Sequence, residues 1–292
     1  MKFSRELQLP VLPEKETEKN KNIRNAYFGI PETGILLHHG KQFVPDLKKP
    51  VLTELFRGRP EISADISSDE QKMVVELCPT EAFETNPFCL NLGKCVFCKE
   101  CHFVLPDKIK FTNDYKIATN DPEKLKIFPG QTTSIEFNDA LRRKEIKKLF
   151  RKSLKLRQVS AAGDNSCEME LNAAGNVNFD MGRYGIEFVA SPRHADGIVI
   201  TGPISENMAR ALEITWEAIP SHKICILAGT DAISGGIFAE SPALNRSVIE
   251  PVDPVTDCKS APGKSIKVDL YVPGNPCHPL TFINGVLSLI GK

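Results

Sequence analysis

From about residue 159 onward, short apolar runs alternate with helical periodicity. IEFVA, GIVIT, KICILA and KVDLYV are brief stretches rich in Val and Ile, each of strand length. Between GIVIT and KICILA, the segment SENMARALEITWEAI repeats its apolar residues at helical spacing, with Ser205 placed to cap it. LTFINGVLSLI reads as a closing helix. Strands separated by helices predict a parallel sheet covered on both faces. Binding sites in such sheets gather at loops beyond the carboxyl ends of the strands. Those loops are SPRHAD, TGPISEN, AGTDAISGG and PGNPCHP, all rich in Gly, Pro and polar residues.

The earlier part of the chain has a different texture. Residues 1–45 are rich in Pro, Lys and Glu and predict an extended arm. Residues 46–125 predict a small unit, 126–158 a basic linker with a helix, and 159–292 the α/β domain. In the linker, LRRKEIKKLFRKSLKLR carries Leu and Phe at helical spacing, and Asn138 stands ahead of it as a cap. A basic amphipathic helix suits a membrane surface or a partner; a solvated connector with one packed face is the simpler reading.

The small unit holds the chemistry. Cys78 is followed by Pro79, and Cys95, Cys98 and Cys101 form C-x-x-C-x-x-C. In two-cluster ferredoxins the run is C-x2-C-x2-C-x3-C-P, and its fourth cysteine ligates the other cluster. The Cys-Pro of a first run and three leading cysteines of a second make one complete [4Fe-4S] ligand set. The complementary set is missing: its positions fall on Ser68, Gln71, Val74 and Leu105, the last still followed by Pro106. Four thiolates also suit tetrahedral zinc. The tight spacing and the two prolines favour the cluster, so one [4Fe-4S] on Cys78, Cys95, Cys98 and Cys101 is expected.

Composition narrows the class. The 292 residues carry 37 basic and 37 acidic side chains, which gives no electrostatic case for nucleic acid. No apolar run approaches the ~18–20 residues of a membrane span. The polar opening lacks the apolar core of a signal peptide. A cytoplasmic protein is expected, held at the inner face of a membrane through partners. Its nine cysteines then read as metal ligands and free thiols.

GDNSCEMEL, RYGIEFVASPRHADGIVITGPISENM, ILAGTDAISGGIF and VDLYVPGNP resemble the small electron-transfer subunit of group 4 membrane-bound [NiFe] hydrogenases and the related quinone-proximal subunit of complex I. LFRGRPEIS, CPTEAF and LNLGKCVFCKEC resemble the two-cluster ferredoxin subunit of the same complexes. The chain thus looks like a fusion of two neighbouring subunits. The resemblance implies a flavodoxin-like α/β domain preceded by a small α+β ferredoxin-like domain. It also implies partners: a large hydrogenase- or complex I-like subunit, membrane-arm subunits and a redox partner protein.

The resemblance implies a second cluster as well, whose ligands fall on Asp164, Cys167, Asp231 and Asn275. Only Cys167 keeps its thiolate, which makes a poor site for a soft cluster. A second cluster in this domain is therefore not expected. Alternatives are a rearranged site on Cys167, Cys258 and Cys277, or a hard cation such as Mg2+ or Ca2+ on Asp164 and Asp231. Cys225 lies inside an apolar run and reads as core. Glu170 matches an acidic family position, and His194 lies in a family loop where Arg193 and Asp196 could pair. Arg57, Gly58 and Arg59 read as a docking edge or as a solvated turn before Pro60. No catalytic motif stands out, so the chain reads as a non-catalytic electron-transfer subunit of an oxidoreductase complex. A structural or assembly subunit is the main alternative, and a free-standing redox sensor is a third.

Overall fold

The structure is a computed structural model and describes residues 44–47, 49–250 and 265–292. The expected N-terminal arm lies almost wholly outside the described residues. The first described elements are short: β1 (Pro60–Ile62), α1 (Ser68–Leu77), β2 (Phe83–Thr85), β3 (Phe88–Asn91), α2 (Glu100–Val104), β4 (Ile109–Phe111) and β5 (Lys126–Ile127). β1 pairs with β4, and β2, β3 and β5 form a second antiparallel sheet. A capping box starts α1: Ser67 Oγ accepts from the Glu70 amide at 3.3 Å, and Glu70 Oε2 accepts from the Ser67 amide at 2.7 Å. The helix stops at Cys78, where the backbone turns extended.

The second part is α3 (Lys144–Phe150), β6 (Leu154–Ser160), α4 (Ser166–Ala174), β7 (Ile186–Phe188), β8 (Gly197–Thr201), α5 (Glu206–Ala218), β9 (Ile224–Ala228), α6 (Thr230–Ser234), β10 (Leu270–Val272) and α7 (Pro279–Ile290). Its five strands form a parallel sheet in the order β10-β9-β8-β6-β7. Counted from β6, that is the flavodoxin-like order 2-1-3-4-5. The expected parallel α/β domain is thus present. Ser205 stands at the amino cap of α5, although its hydroxyl makes no capping hydrogen bond.

Side chains alternate between two cores. Leu154, Leu156, Val199, Ile224, Ile226, Leu270 and Val272 face one way, against α3, α4 and α7. Val159, Ile198, Ile200, Cys225, Leu227 and Tyr271 face the other, and that core continues into Leu90, Leu92, Phe97 and Ile117 of the first part. Cys225 is fully buried, as expected of a core thiol. The outer edge of β10 is covered as well: Thr119 and Tyr271 exchange backbone hydrogen bonds of 3.0 and 2.8 Å. A sheet edge left open would invite pairing with another chain.

The expected basic helix is corrected. Only Lys144–Phe150 is helical, with Ile146 and Phe150 turned inward. Asn138 does not cap it; its side chain accepts from the Ala140 amide at 3.1 Å and donates to Asp121 at 3.0 Å. Arg143, directly before the helix, is drawn into a bidentate pair with buried Asp269, at 2.8 and 2.7 Å. The segment LKLRQVS is the strand β6, because Leu154 and Leu156 are buried while Lys155 between them is exposed. That is a period of two, not 3.6.

Candidate functional site: a four-cysteine pocket beside a rebuilt loop cluster

Cys78, Cys95, Cys98 and Cys101 line one pocket, walled by Val74, Leu77, Phe83, Leu90, Val96 and Phe111. Cys78 arrives at the end of α1 and Cys101 in the first turn of α2. Between them the loop bends through Phe97 and Lys99, at φ 54° and 69°. The Ala82 amide donates to Cys78 Sγ at 3.3 Å, and the Phe97 amide donates to Cys95 Sγ at 3.4 Å. Such bonds favour a charged sulfur over a neutral one.

Burial works the other way. It pushes the Cys101 thiol up to about 12, with the neighbouring Cys98 sulfur adding to the shift. Burial raises Cys95 further still. Cys95 and Cys101 therefore resist ionising unless a cationic group neutralises them. Among the described residues, no three His, Cys, Asp or Glu side chains converge tightly enough to hold a single metal ion. A lone zinc needs that convergence. An iron–sulfur cluster spreads its cysteines over separate irons, and the soft, apolar and N–H-lined donor set is compatible with such a group.

The four positions implied for a second cluster have gone separate ways. Asp164 is exposed, and its Oδ1 accepts from the Ser166 amide at 2.9 Å and the Ser166 hydroxyl at 2.6 Å. Those bonds hold its carboxyl below the usual range. Cys167 is buried in the first turn of α4. Its sulfur lies so close to Gly229 that a Cβ there would sit 2.4 Å away. Asp231 is 8% exposed, and its Oδ1 has no hydrogen-bond partner among the described residues. Burial, helped by the charge of Asp164, pushes its carboxyl up to about 6. Oδ1 fits against Gly236, where a Cβ would come within 1.9 Å.

Asn275 instead lines a solvent-open cavity of about 220 Å³ with Phe97, Glu170 and His278. Cys277 is fully buried, with Cys167 as its side-chain hydrogen-bond neighbour. Cys258 lies outside the described residues, so the rearranged three-cysteine site is not assembled by those that are described. Asp164 and Asp231, with one bonded to Ser166 and the other packed on Gly236, do not form a hard-cation cage.

The two regions touch. Thr230 Oγ1, at the start of α6, donates to the Cys95 carbonyl at 2.8 Å. Arg57 Nη1 donates to the Phe97 carbonyl at 2.7 Å. The cysteine loop is thus braced by the loop that follows β9.

Several expectations change. Arg59 is neither a docking edge nor a solvated turn: it is 3% exposed and bonded to Glu61, Asp114 and the carbonyls of Gln131 and Thr132. Gly58 packs on the Asp114 carbonyl, where any Cβ would clash at 2.4 Å. Arg193 and Asp196 do not pair; Asp196 Oδ2 accepts from the Lys155 amide at 2.7 Å. His194 is exposed on a short 3-10 turn. Glu170 lines the cavity, and burial raises its carboxyl.

Two groups, buried Glu168 and half-buried His278, carry little or no local sequence signal. Glu168 accepts from the Thr201 hydroxyl at 2.6 Å. His278 caps α7 through Nδ1, lies edge-on to Phe56 and Phe179, and is lowered to about 4 by burial. The only hint of Glu168 was its place directly after Cys167. His278 gave none, because its neighbours come from distant segments.

Known proteins match the second part. The family described as NADH ubiquinone oxidoreductase, 20 Kd subunit, matches residues 165–289. A probable membrane-bound hydrogenase subunit of Pyrococcus furiosus is 33% identical over 46% of this chain and 72% of its own length. An NADH-quinone oxidoreductase subunit of Heliobacterium modesticaldum is 39% identical over 45% of this chain and 68% of its own. An uncharacterized protein of Methanocaldococcus jannaschii is 34% identical over 50% of this chain and 90% of its own. The matched residues run from the turn into α4 to the end of α7, and these relatives, all above 30% identity, are covered over more than two thirds of their length, so this chain belongs to the family of the 20 kDa subunit of NADH ubiquinone oxidoreductase.

Proposed function

We propose that this chain is an iron–sulfur electron-transfer subunit of a hydrogenase-like or complex I-like membrane-associated oxidoreductase. It carries one [4Fe-4S] cluster, on Cys78, Cys95, Cys98 and Cys101, in a ferredoxin-like unit fused to the family domain. The observation that carries this reading is the convergence of the four cysteines on one apolar pocket with backbone N–H groups aimed at two sulfurs. When bound, the cluster supplies a one-electron redox site. Val74, Leu77, Phe83 and Phe111 exclude water from it, while the Ala82 and Phe97 amides help set its potential by stabilising charge on sulfur. The chain performs no H2 or quinone chemistry by itself. Those reactions belong to the large and membrane-arm subunits and the redox partner it would join.

In this reading the family domain holds no cluster of its own. It braces the cysteine loop through Thr230 and presents surfaces to other subunits. Iron and acid-labile sulfide are to be measured per chain after anaerobic purification, with EPR of the reduced sample. About four irons and one S = 1/2 signal are expected. About eight would overturn the single-cluster assignment, and none in a folded protein would overturn the cluster itself.

One observation favours a second reading, a structural or assembly subunit. Asp164 is bonded to Ser166 and Cys167 and Asp231 are packed against Gly229 and Gly236, so a domain with these side chains at the implied positions would carry one electron-transfer step fewer. Reversible reduction and reoxidation of the bound cluster would support electron transfer; a cluster that only decays on reduction would support the structural role.

A further inference from the structure

The segment 141–155 concentrates charge in an otherwise balanced chain. It holds eight Lys and Arg against one acid, Glu145, which leaves the remainder of the chain acidic by seven charges. Two of the eight are neutralised within the fold: Arg142 pairs with Asp139, and Arg143 with Asp269. Lys155 is aligned with Glu187 across the parallel strands β6 and β7. That leaves Lys144, Lys147, Lys148, Arg151 and Lys152, all exposed. Among the described residues none of these five has an ion-pair partner. Ile146 and Phe150 anchor α3 to the core, so its cationic side is held outward. Leu141 and Leu149 stand out of the same segment, 52% and 48% exposed.

We propose that this face, formed by the exposed side of α3 and the turn that follows, docks directly on an anionic phospholipid surface. Clustered Lys and Arg are drawn to acidic headgroups, and exposed leucines among them insert at the headgroup–acyl boundary. A nucleic acid or an acidic protein surface would account for the charge but gives no reason for two leucines held in water. The patch lies before β6, at the amino ends of the strands, whereas the Gly229 and Gly274 loops lie at the carboxyl ends. Docking would therefore leave the cysteine pocket roughly a strand length, on the order of 20 Å, from the lipid. The proposal rests on the reading of this chain as part of a membrane-associated assembly. It adds a contact with lipid that the chain makes by itself, without partner subunits.

The test is flotation of the purified full chain with vesicles of phosphatidylcholine alone, and of phosphatidylcholine mixed with phosphatidylglycerol. Binding is expected only to the mixed vesicles, falling as salt is raised. It should drop about tenfold or more in Lys147→Glu/Lys148→Glu/Lys152→Glu, and less in Leu149→Ser. These side chains are solvent-facing, and a matching Lys→Gln set controls for folding effects of charge reversal. No binding to the mixed vesicles, or binding unchanged in the charge-reversed chain, would overturn the proposal and leave an acidic protein surface as the occupant. Cys95→Ala is expected to bind vesicles like the parent, and the lysine variants to keep full iron content, so failure of this inference and failure of the cluster assignment are read separately.

Discussion

The cysteine pocket and the loops at the carboxyl ends of the sheet are two versions of one problem. Each sets sulfur and polar side chains on loops within an apolar surround, and they rest against each other through Thr230 and the Cys95 carbonyl. In the first, the four sulfurs share one apolar chamber and backbone amides point at two of them. In the second, the implied positions point to different surroundings. Asp164 turns to Ser166, Asp231 folds onto Gly236, Cys167 fills the space left by Gly229, and Asn275 faces a cavity. The difference teaches how closely the second set of loops is packed: Gly229 and Gly236 leave room that the Cys167 sulfur and the Asp231 carboxylate fill.

The comparison can be broken most decisively at Cys95. Cys95→Ala should abolish the visible iron–sulfur absorbance and bring iron from about four per chain to near zero, whereas Cys167→Ala should leave both unchanged. Iron lost on Cys167→Ala would reverse the roles of the two regions.

Next in size is Gly229→Ala. A Cβ at φ 96°, placed 2.4 Å from the Cys167 sulfur, should destabilise the fold by about 3 kcal/mol. Pairing it with Cys167→Ala should recover part of that loss in denaturant unfolding. No recovery would mean that backbone strain, not the sulfur contact, dominates.

Asp231→Asn comes third. Its folded-state pKa lies near 6 against an ordinary 3.8, so the folded form binds the extra proton more readily. Its penalty is absent below about pH 4, grows as pH rises towards 6, and is complete above that. The variant should therefore be more stable than the parent by about 2 kcal/mol at pH 7, with the gap closing near pH 4. A gap that widens on acidification would show Asp231 to be charged and compensated in the fold.

The smallest effect belongs to Asp164→Ala, which removes the Ser166 turn bonds. A loss of under ~1 kcal/mol in thermal unfolding is expected, with iron content untouched.

The sheet was legible because GIVIT and KICILA are buried on both faces and need no cross-chain information to be recognised as strands. That Cys95, Cys98 and Cys101 share a pocket with Cys78 was legible because three of the four stand at local motif spacing. β6 was hidden: Arg151, Lys152, Lys155 and Arg157 made the segment look like more of the basic helix, and only burial reveals its alternation. Arg59 looked like a surface charge because its partners at positions 114, 131 and 132 are remote in sequence. The fate of Asp231 was likewise invisible, since an aspartate in a ligand position does not announce whether it faces metal, solvent or a glycine.

The core that runs from Leu90 and Phe97 into Ile198 and Leu227 has one more consequence. With Thr119 zipped to Tyr271 as well, the cysteine unit and the sheet share too much interior to melt apart. Thermal unfolding should then be a single cooperative event. A disturbance in the cysteine loop, such as Cys95→Ala, should therefore be registered in the hydrogen exchange of β8 and β9, strands remote from that loop in sequence.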